Sequence, residues 1–328
     1  MDLATHALAG LVLARAADPS GTRPGTAAVL VVGSLLPDID MVAALFDPAR
    51  APLLRHTATH SLILLPAMAA GLAVAVRLAG ARAPGGHLFV LAATGIGLHI
   101  LLDLLNAYGV ALLFPLSDAR FEFGLLFVLD PVLTGILVLA LALSRLAPSP
   151  RRRAAVAAAA LLLCVAYVDV AAGLRQRSAD LVAATAHAPL VDLVPEPLSP
   201  WCWRGIVARP GGYAQYAVRP VAGVVTPLDP VVSDERAAAV VAVRRSALPA
   251  GFDAFLRAPV WQVDGERVTV HDLRYRFALL GNRWDPFGFA FEPAGAGGGG
   301  PRLATATLSD RLDRAFATLS RLSPEGAC

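Results

Sequence analysis

The chain has 328 residues, 56% of them hydrophobic and 16% charged, where an ordinary soluble domain carries roughly 25% charged residues. That excludes a wholly soluble protein, a disordered chain and a disulfide scaffold. Charge is uneven: residues 1–173 hold 11 Arg and 10 acidic residues, and residues 174–328 hold 17 Arg and 15 acidic residues, so a membrane half precedes a water-facing half.

The net charge of +3 is dispersed, and the one basic run is Arg151-Arg152-Arg153. The electrostatic footprint of a nucleic-acid partner is missing. Cys164, Cys202 and Cys328 show no zinc-finger spacing; Cys164 reads as packing, and Cys202 could bridge to Cys328 only in an oxidising compartment.

In chain order, Asp2–Ala17 is a short apolar segment without the basic start of a secretory signal. Thr26–Phe46 is long enough to span but is broken by Pro37 and two carboxylates. Thr59–Val76 and Gly86–Leu105 are nearly continuous apolar runs, and Phe123–Ser144 and Ala154–Leu174 are cleaner still, each with one Asp. A span needs roughly 20 such residues, so the expectation is five or six membrane segments. With six crossings, eight Arg fall on one side of the membrane and five on the other. The richer side is then cytoplasmic, and both termini lie outside the cytoplasm.

Past Arg175 the pattern changes to prolines and strand-like alternation. Gly212–Arg219 reads as a strand and Pro259–Phe277 as a hairpin turning at Asp264-Gly265. Gly295–Gly300 reads as a low-complexity loop, and Leu303–Leu322 as an amphipathic helix. The expected fold class is an α-helical membrane bundle with a C-terminal soluble, β-rich α+β domain. The expected domains are 1–174, transmembrane and carrying the chemistry, and 175–328, soluble and extracytoplasmic.

Five of the seven histidines lie in the membrane half. Ionisable groups inside a bilayer are costly and point to function. In RHTATHS, His56 and His60 are four apart, which on a helix puts both rings on one face. His99 and Asp103 repeat that spacing. Asp38 and Asp40 follow the break at Pro37, His6 lies in the first segment, and Asp130 lies near the start of the fifth. In the six-span topology all eight fall near one leaflet. Imidazole with carboxylate suits zinc first, then manganese or iron, and eight candidates exceed the needs of one tetrahedral zinc. One or two ions are therefore expected, with Asp40 or Asp130 as general base. Thr5, Thr59, Ser61 and Asn106 are expected around the ligands, Arg55 could clamp an anion, and His87, His187 and His271 are not expected to ligate.

THALAG, LLPDID, RHTATHS, HILLDLLNAYG, FPLS and LDP, in that order over roughly residues 1–135, resemble the YdjM/YbcI-type family of inner-membrane metal-dependent hydrolases. The family's polar positions correspond to His6, Asp38, Asp40, His56, His60, His99, Asp103 and Asp130. The resemblance implies a multi-pass protein of the bacterial plasma membrane that hydrolyses its substrate with a divalent metal. A site near one leaflet suggests a phosphoester or another lipid-like substrate drawn from the bilayer. The rival expectation is a metal-ion or proton transporter or channel using the same His/Asp cluster.

Overall fold

A computed structural model describes residues 1–276 apart from 24 and 247, together with 287–292 and 301–304. The chain divides into two compact units: Met1–Met41 with Arg55–Ala172, and Val42–Leu54 with Gly173–Cys328.

In the first unit, α1 (Leu3–Ala17) starts at Asp2, whose carboxylate accepts from the Ala4 and Thr5 amides. Helix α2 (Thr26–Leu35) ends where Pro37 has no N–H to continue the ladder, and the chain tightens into a 3-10 run over Leu36–Val42. Two one-turn helices, α3 (Ala43–Phe46) and α4 (Ala51–Leu54), come next in the chain, in the Val42–Leu54 segment that belongs to the second unit, and the first unit resumes at Arg55. A 3-10 turn, Ala58–His60, leads to α5 (Leu65–Leu78). Helix α6 (Gly85–Leu104) is followed by a non-helical stretch that reaches Asp130, and α7 (Pro131–Leu146) opens on a proline suited to the first helical turn.

Helix α8 (Pro150–Ala186) has 37 residues. At 1.5 Å per residue it is about 55 Å long, well beyond the roughly 30 Å hydrocarbon thickness. Its apolar N-terminal part belongs to the first unit and the rest to the second, so the expected end of helix at Leu174 is corrected to Ala186. Among the described residues, two helices are long and apolar enough to cross a membrane, α6 and α8. The count is three if the bent pair Ala51–His60 and Leu65–Leu78 forms one span. Helices α1 and α7 are apolar but shorter.

Small residues set the close packing of α1, α2 and α6. A Cβ built on Gly95 would lie 2.6 Å from the Leu30 carbonyl oxygen, and one on Gly33 would lie 3.0 Å from that of Ala92. On Gly10 it would meet Ser34 Oγ at 2.5 Å. Backbones this close are how membrane helices gain van der Waals contact where the hydrophobic effect between them is weak. Gly95→Ala is therefore expected to separate α2 from α6 and cost about 1–3 kcal/mol, the usual range for overpacking. Thermal unfolding of the detergent-extracted protein reads this, and an unchanged melting temperature would contradict it.

In the second unit, β1 (Leu190–Glu196), β2 (Ser199–Arg209), β3 (Gly212–Arg219) and β4 (Val224–Val232) form an antiparallel meander. The C-terminal part of α8 covers it, with Val182 packed among Leu193, Trp203, Val207 and Val218. Gly205 on β2 permits this, because a Cβ there would come within 2.8 Å of Val182. Helices α9 (Ala238–Ser246) and α10 (Phe252–Phe255) precede a second antiparallel sheet. That sheet runs β5 (Pro259–Asp264), β6 (Arg267–Asp272), β7 (Phe289–Glu292) and β8 (Arg302–Leu303).

The hairpin sits where the alternation places it. Asp264 pairs with Arg267, and Gly265 takes a φ of 59° at the first loop position, where a two-residue hairpin turn favours glycine. Arg204, fully buried, donates to Glu196 at 2.9 Å, Gln215 at 3.0 Å and the Leu273 carbonyl at 3.0 Å. Burial lowers its pKa and the Glu196 carboxylate opposes that shift. Leu303 lies in a strand rather than opening a helix. The rest of the expected C-terminal helix, the glycine-rich loop 295–300 and Cys328 lie outside the described residues.

Candidate metal centre

The site is assembled at one end of the bundle. Helix α6 carries His99 and Asp103 one turn apart, with the His99 Nε2 3.2 Å from Asp103 Oδ2. Helix α1 delivers His6, whose Nε2 lies 3.2 Å from Asp103 Oδ1 and whose ring stacks on His99 at 3.7 Å between centroids. The chain break after α2 delivers Asp38 and Asp40.

His56 and His60 do converge, but not on a helix. The stretch between α4 and α5 is a turn in which His56 takes a φ of 55° and His60 ends the 3-10 turn. The helical spacing argument is thus corrected: tertiary contacts, rather than an i,i+4 repeat, bring these rings to 4.4 Å. The Asp40 carboxylate accepts the His56 amide at 2.7 Å, and the His56 carbonyl accepts the Ala111 amide at 2.9 Å. A left-handed φ at a non-glycine residue costs of order 1–3 kcal/mol and persists where surroundings enforce it.

The outcome is a dense focus on one carboxylate. Nε2 atoms of His56, His60 and His99 lie 3.4, 3.0 and 3.2 Å from Asp103 Oδ2. Asp103 Oδ1 also pairs with the Met1 amino group, a contact that no motif announced. His6, His60, His99 and Asp103 are wholly buried.

Ligand atoms of Asp38, His56, His60 and Asp103 all lie within 4.8 Å of one another, and so do those of His6, Asp38 and His99. Asp38 is common to both groups. His87, His187 and His271 belong to neither.

Hydrogen bonding decides whether these residues suit a cation. His99 Nδ1 lies 2.7 Å from the Ser34 carbonyl oxygen. A carbonyl only accepts, so Nδ1 carries the hydrogen and the Nε2 of a neutral ring is a lone pair. His60 Nδ1 sits 3.3 Å from Asp40 Oδ2 and 3.0 Å from Thr59 Oγ1, so a neutral His60 ring carries its hydrogen on Nδ1 and a lone pair on Nε2. These two Nε2 atoms are 3.1 Å apart and both face Asp103. Lone pairs opposed to a buried carboxylate repel unless a proton or a cation lies among them. Imidazole backed by a carboxylate or carbonyl is the usual support of a metal-ligating histidine. His6 Nδ1 and His56 Nδ1 are buried without hydrogen-bond partners. The donor set fits a divalent cation.

The other expected residues separate by role. Asp40 stands behind His60 and the His56 amide, with Oδ1 buried and free of hydrogen bonds, and it belongs to neither converging group. Asp130 is the N-cap of α7 rather than a residue two turns into a span: Oδ1 accepts the Leu133 amide at 2.8 Å and Oδ2 the Tyr167 hydroxyl at 2.7 Å. Both oxygens are engaged, and Asp130 also lies outside the two groups. The bond of a proline-preceding aspartate to its own helix was the signal for this. Asp130→Ala is expected to cost about 0.5–2 kcal/mol as a lost cap while metal content stays at the wild-type level. Elemental analysis with thermal unfolding checks both, and loss of metal would contradict the capping role.

Thr59 touches His60, as adjacency suggested. Thr5, Ser61 and Asn106 instead bond Thr134 Oγ1, the Phe114 carbonyl and the Tyr108 amide. Sequence reasoning missed the Ser34 carbonyl, which a residue-type search cannot find, and Tyr108, whose ring lies 4.5 Å from that of His56. Arg55 donates to Asp38 at 2.9 Å and its guanidinium lies 5.8 Å from the Tyr108 ring centre.

The family model described as YdjM inner membrane protein matches residues 1–175, more than half of the chain. The chain belongs to the YdjM inner membrane protein family. The match ends just past the boundary at Ala172, so the YdjM region holds the whole His/Asp cluster and leaves the β-sheet domain outside it. No curated protein and no solved structure matches the chain.

Proposed function

We propose that this YdjM-family chain is a multi-pass, metal-dependent hydrolase of the bacterial plasma membrane, acting on a phosphoester or lipid-like substrate at the membrane surface. The observation that carries the reading is the pair of His60 and His99 Nε2 atoms, each ring held from behind through Nδ1 and both turned on Asp103. Asp38, His56, His60 and Asp103 would hold one ion, and His6, Asp38 and His99 a second; zinc suits the imidazole-rich set first, manganese or iron next. When bound, such a cation supplies a Lewis acid for the phosphoryl oxygen and a water acidic enough to attack at neutral pH.

The chain's own residues do the rest. Asp40 Oδ2 fixes the His60 ring, and its Oδ1, which makes no hydrogen bond and pairs with Arg55 Nε at 3.6 Å, takes the proton released by the attacking water. Arg55 pairs with Asp38 through Nη2 and with Asp40 through Nε at 3.6 Å, and its guanidinium donates to the anionic oxygen of the substrate. Burial of His60, His99 and Asp103 excludes bulk water, which strengthens each of these interactions.

The enzyme reading is favoured over transport by what lies deeper. On the far side of His99, α6 buries Leu88, Leu91, Ala92 and Ile96 against Val29, Leu30 and Ala69. That core offers an ion no polar steps across the bilayer. The test is hydrolysis by protein in lipid nanodiscs, with bis(p-nitrophenyl) phosphate and a fluorescent phospholipid as probes. Turnover that stops with a chelator and returns with zinc or manganese is expected. Bound metal without turnover of either probe, accompanied by metal flux into sealed proteoliposomes, would replace hydrolysis with transport.

A further inference from the structure

The cluster lies level with the last turns of α6, and the chain packed beside it there is not helical. Helix α6 has 20 residues and rises about 30 Å, matching a hydrocarbon thickness of roughly 30 Å. Helix α5, joined to the start of α6 through residues 79–84, has 14 residues and rises about 21 Å. About 9 Å of α6 therefore extends past the start of α5, and that length carries His99 and Asp103. The turn from His56 to Leu64 occupies it, with His60 Nε2 3.1 Å from His99 Nε2 and 3.0 Å from Asp103 Oδ2.

Residues 110–117, which include the FPLS motif, are fastened to this turn. The Ala111 amide donates to the His56 carbonyl at 2.9 Å, the Leu62 amide to the Leu112 carbonyl at 3.0 Å, and Ser61 Oγ to the Phe114 carbonyl at 2.5 Å. Every amide from His60 to Leu65 donates within the protein. So do those of Val110, Ala111, Leu112, Phe114, Leu116 and Ser117, and Pro115 has none to place. Non-helical backbone is tolerated at membrane depth when its polar groups are satisfied inside the protein.

The side chains of these segments point outward and are apolar. Leu62, Ile63, Leu113 and Leu116 are 49%, 41%, 43% and 83% exposed, and Ile39 and Met41, on either side of Asp40, are 58% and 45% exposed. This collar flanks the place where the cluster nears the surface, at the half-buried Arg55 and Thr59. The first exposed charge past Leu116 is Asp118, which puts the collar at the edge of the hydrocarbon and not at its centre.

We infer that this collar is inserted into the leaflet, so that the mouth of the His/Asp site opens among lipid headgroups and admits an amphiphile held in the bilayer. The seat of the collar stands on the fold; what passes the mouth rests on the hydrolase reading and narrows it. The bilayer is the occupant because the collar continues the outward face of α5: Leu62 and Ile63 lead directly into that helix, on which Val74 is 58% exposed.

The test is photo-crosslinking of the full chain in phospholipid nanodiscs, with p-benzoylphenylalanine in place of Leu113 or of Leu116, both exposed enough to take the larger ring. Val74 on α5 is the lipid-facing reference, and the exposed loop residues Ser20 and Arg82 are the water-facing ones. Phospholipid adducts at Leu113 and Leu116 are expected to match those at Val74 and to exceed those at Ser20 and Arg82 several-fold. Adducts no more frequent than at Ser20 and Arg82 overturn the collar, and so do crosslinked chain dimers in place of lipid adducts, since a second copy would then cover it.

The amphiphile is tested in the same nanodiscs. Faster hydrolysis of a fluorescent phospholipid than of dissolved bis(p-nitrophenyl) phosphate supports it, and the reverse order overturns it. The adducts need no turnover. Collar adducts without hydrolysis of either ester would therefore count against the proposed function and leave the collar in place.

Discussion

Asp103→Asn should abolish tight divalent-cation binding, the largest loss expected from any single substitution in this protein. The side chain keeps its size and loses its charge. In the native site this carboxylate is the common neighbour of His6, His56, His60 and His99, all within 3.4 Å. With Asp103 neutral, the four imidazoles keep only Asp38, itself paired with Arg55, and lose most of the charge that offsets the desolvation of a buried dication. The loss should exceed the 10–100-fold that removal of a supporting group costs. Competition with a chromophoric chelator measures it on detergent-purified protein. Wild-type affinity in the variant would remove Asp103 from the centre of the site.

Asp40→Asn should weaken metal binding by about 10–100-fold, the range for a partner of a ligating histidine, and leave the stoichiometry intact at saturating metal. Asp40 touches His60 through Nδ1, at 3.3 Å, and holds the His56 amide at 2.7 Å. An amide can present its NH2 to Nδ1, which turns the hydrogen of a neutral His60 to Nε2 and removes that lone pair from the cluster. The two variants therefore separate: one loses the site, the other detunes it. Asp40→Asn should also slow turnover beyond its effect on metal occupancy, since Oδ1 is the proposed proton acceptor. An affinity equal to wild type would show that the Asp40–His60 contact does not set the ring.

Much of the site was legible because membrane segments penalise ionisable side chains. His6, Asp38, His56, His60, His99 and Asp103 stood out against an apolar background, and the structure brings all six together. The break at Pro37 and the hairpin at Gly265 followed from local backbone chemistry alone. What failed depended on tertiary structure. The RHTATHS segment has a helical spacing but no helix, because Asp40 and Ala111 bond the His56 backbone in a left-handed turn. Asp130 was legible as either ligand or cap, and only the positions of the Leu133 amide and the Tyr167 hydroxyl separate the two. The support of His99 by the Ser34 carbonyl could not be read from side-chain types, since every residue has a carbonyl. Its position depends on the close α2–α6 packing that Gly33 and Gly95 permit.

The most direct measurement is X-ray absorption at the metal edge of wild-type protein purified without added metal. The expected result is a stoichiometric divalent transition metal with a shell of nitrogen and oxygen at about 2.0–2.2 Å, as for zinc, and the outer-shell scattering of several imidazoles. A protein that purifies without stoichiometric metal and takes up none on dialysis, or a metal whose spectrum lacks imidazole scattering, would contradict a cation held among His6, His56, His60, His99 and Asp103.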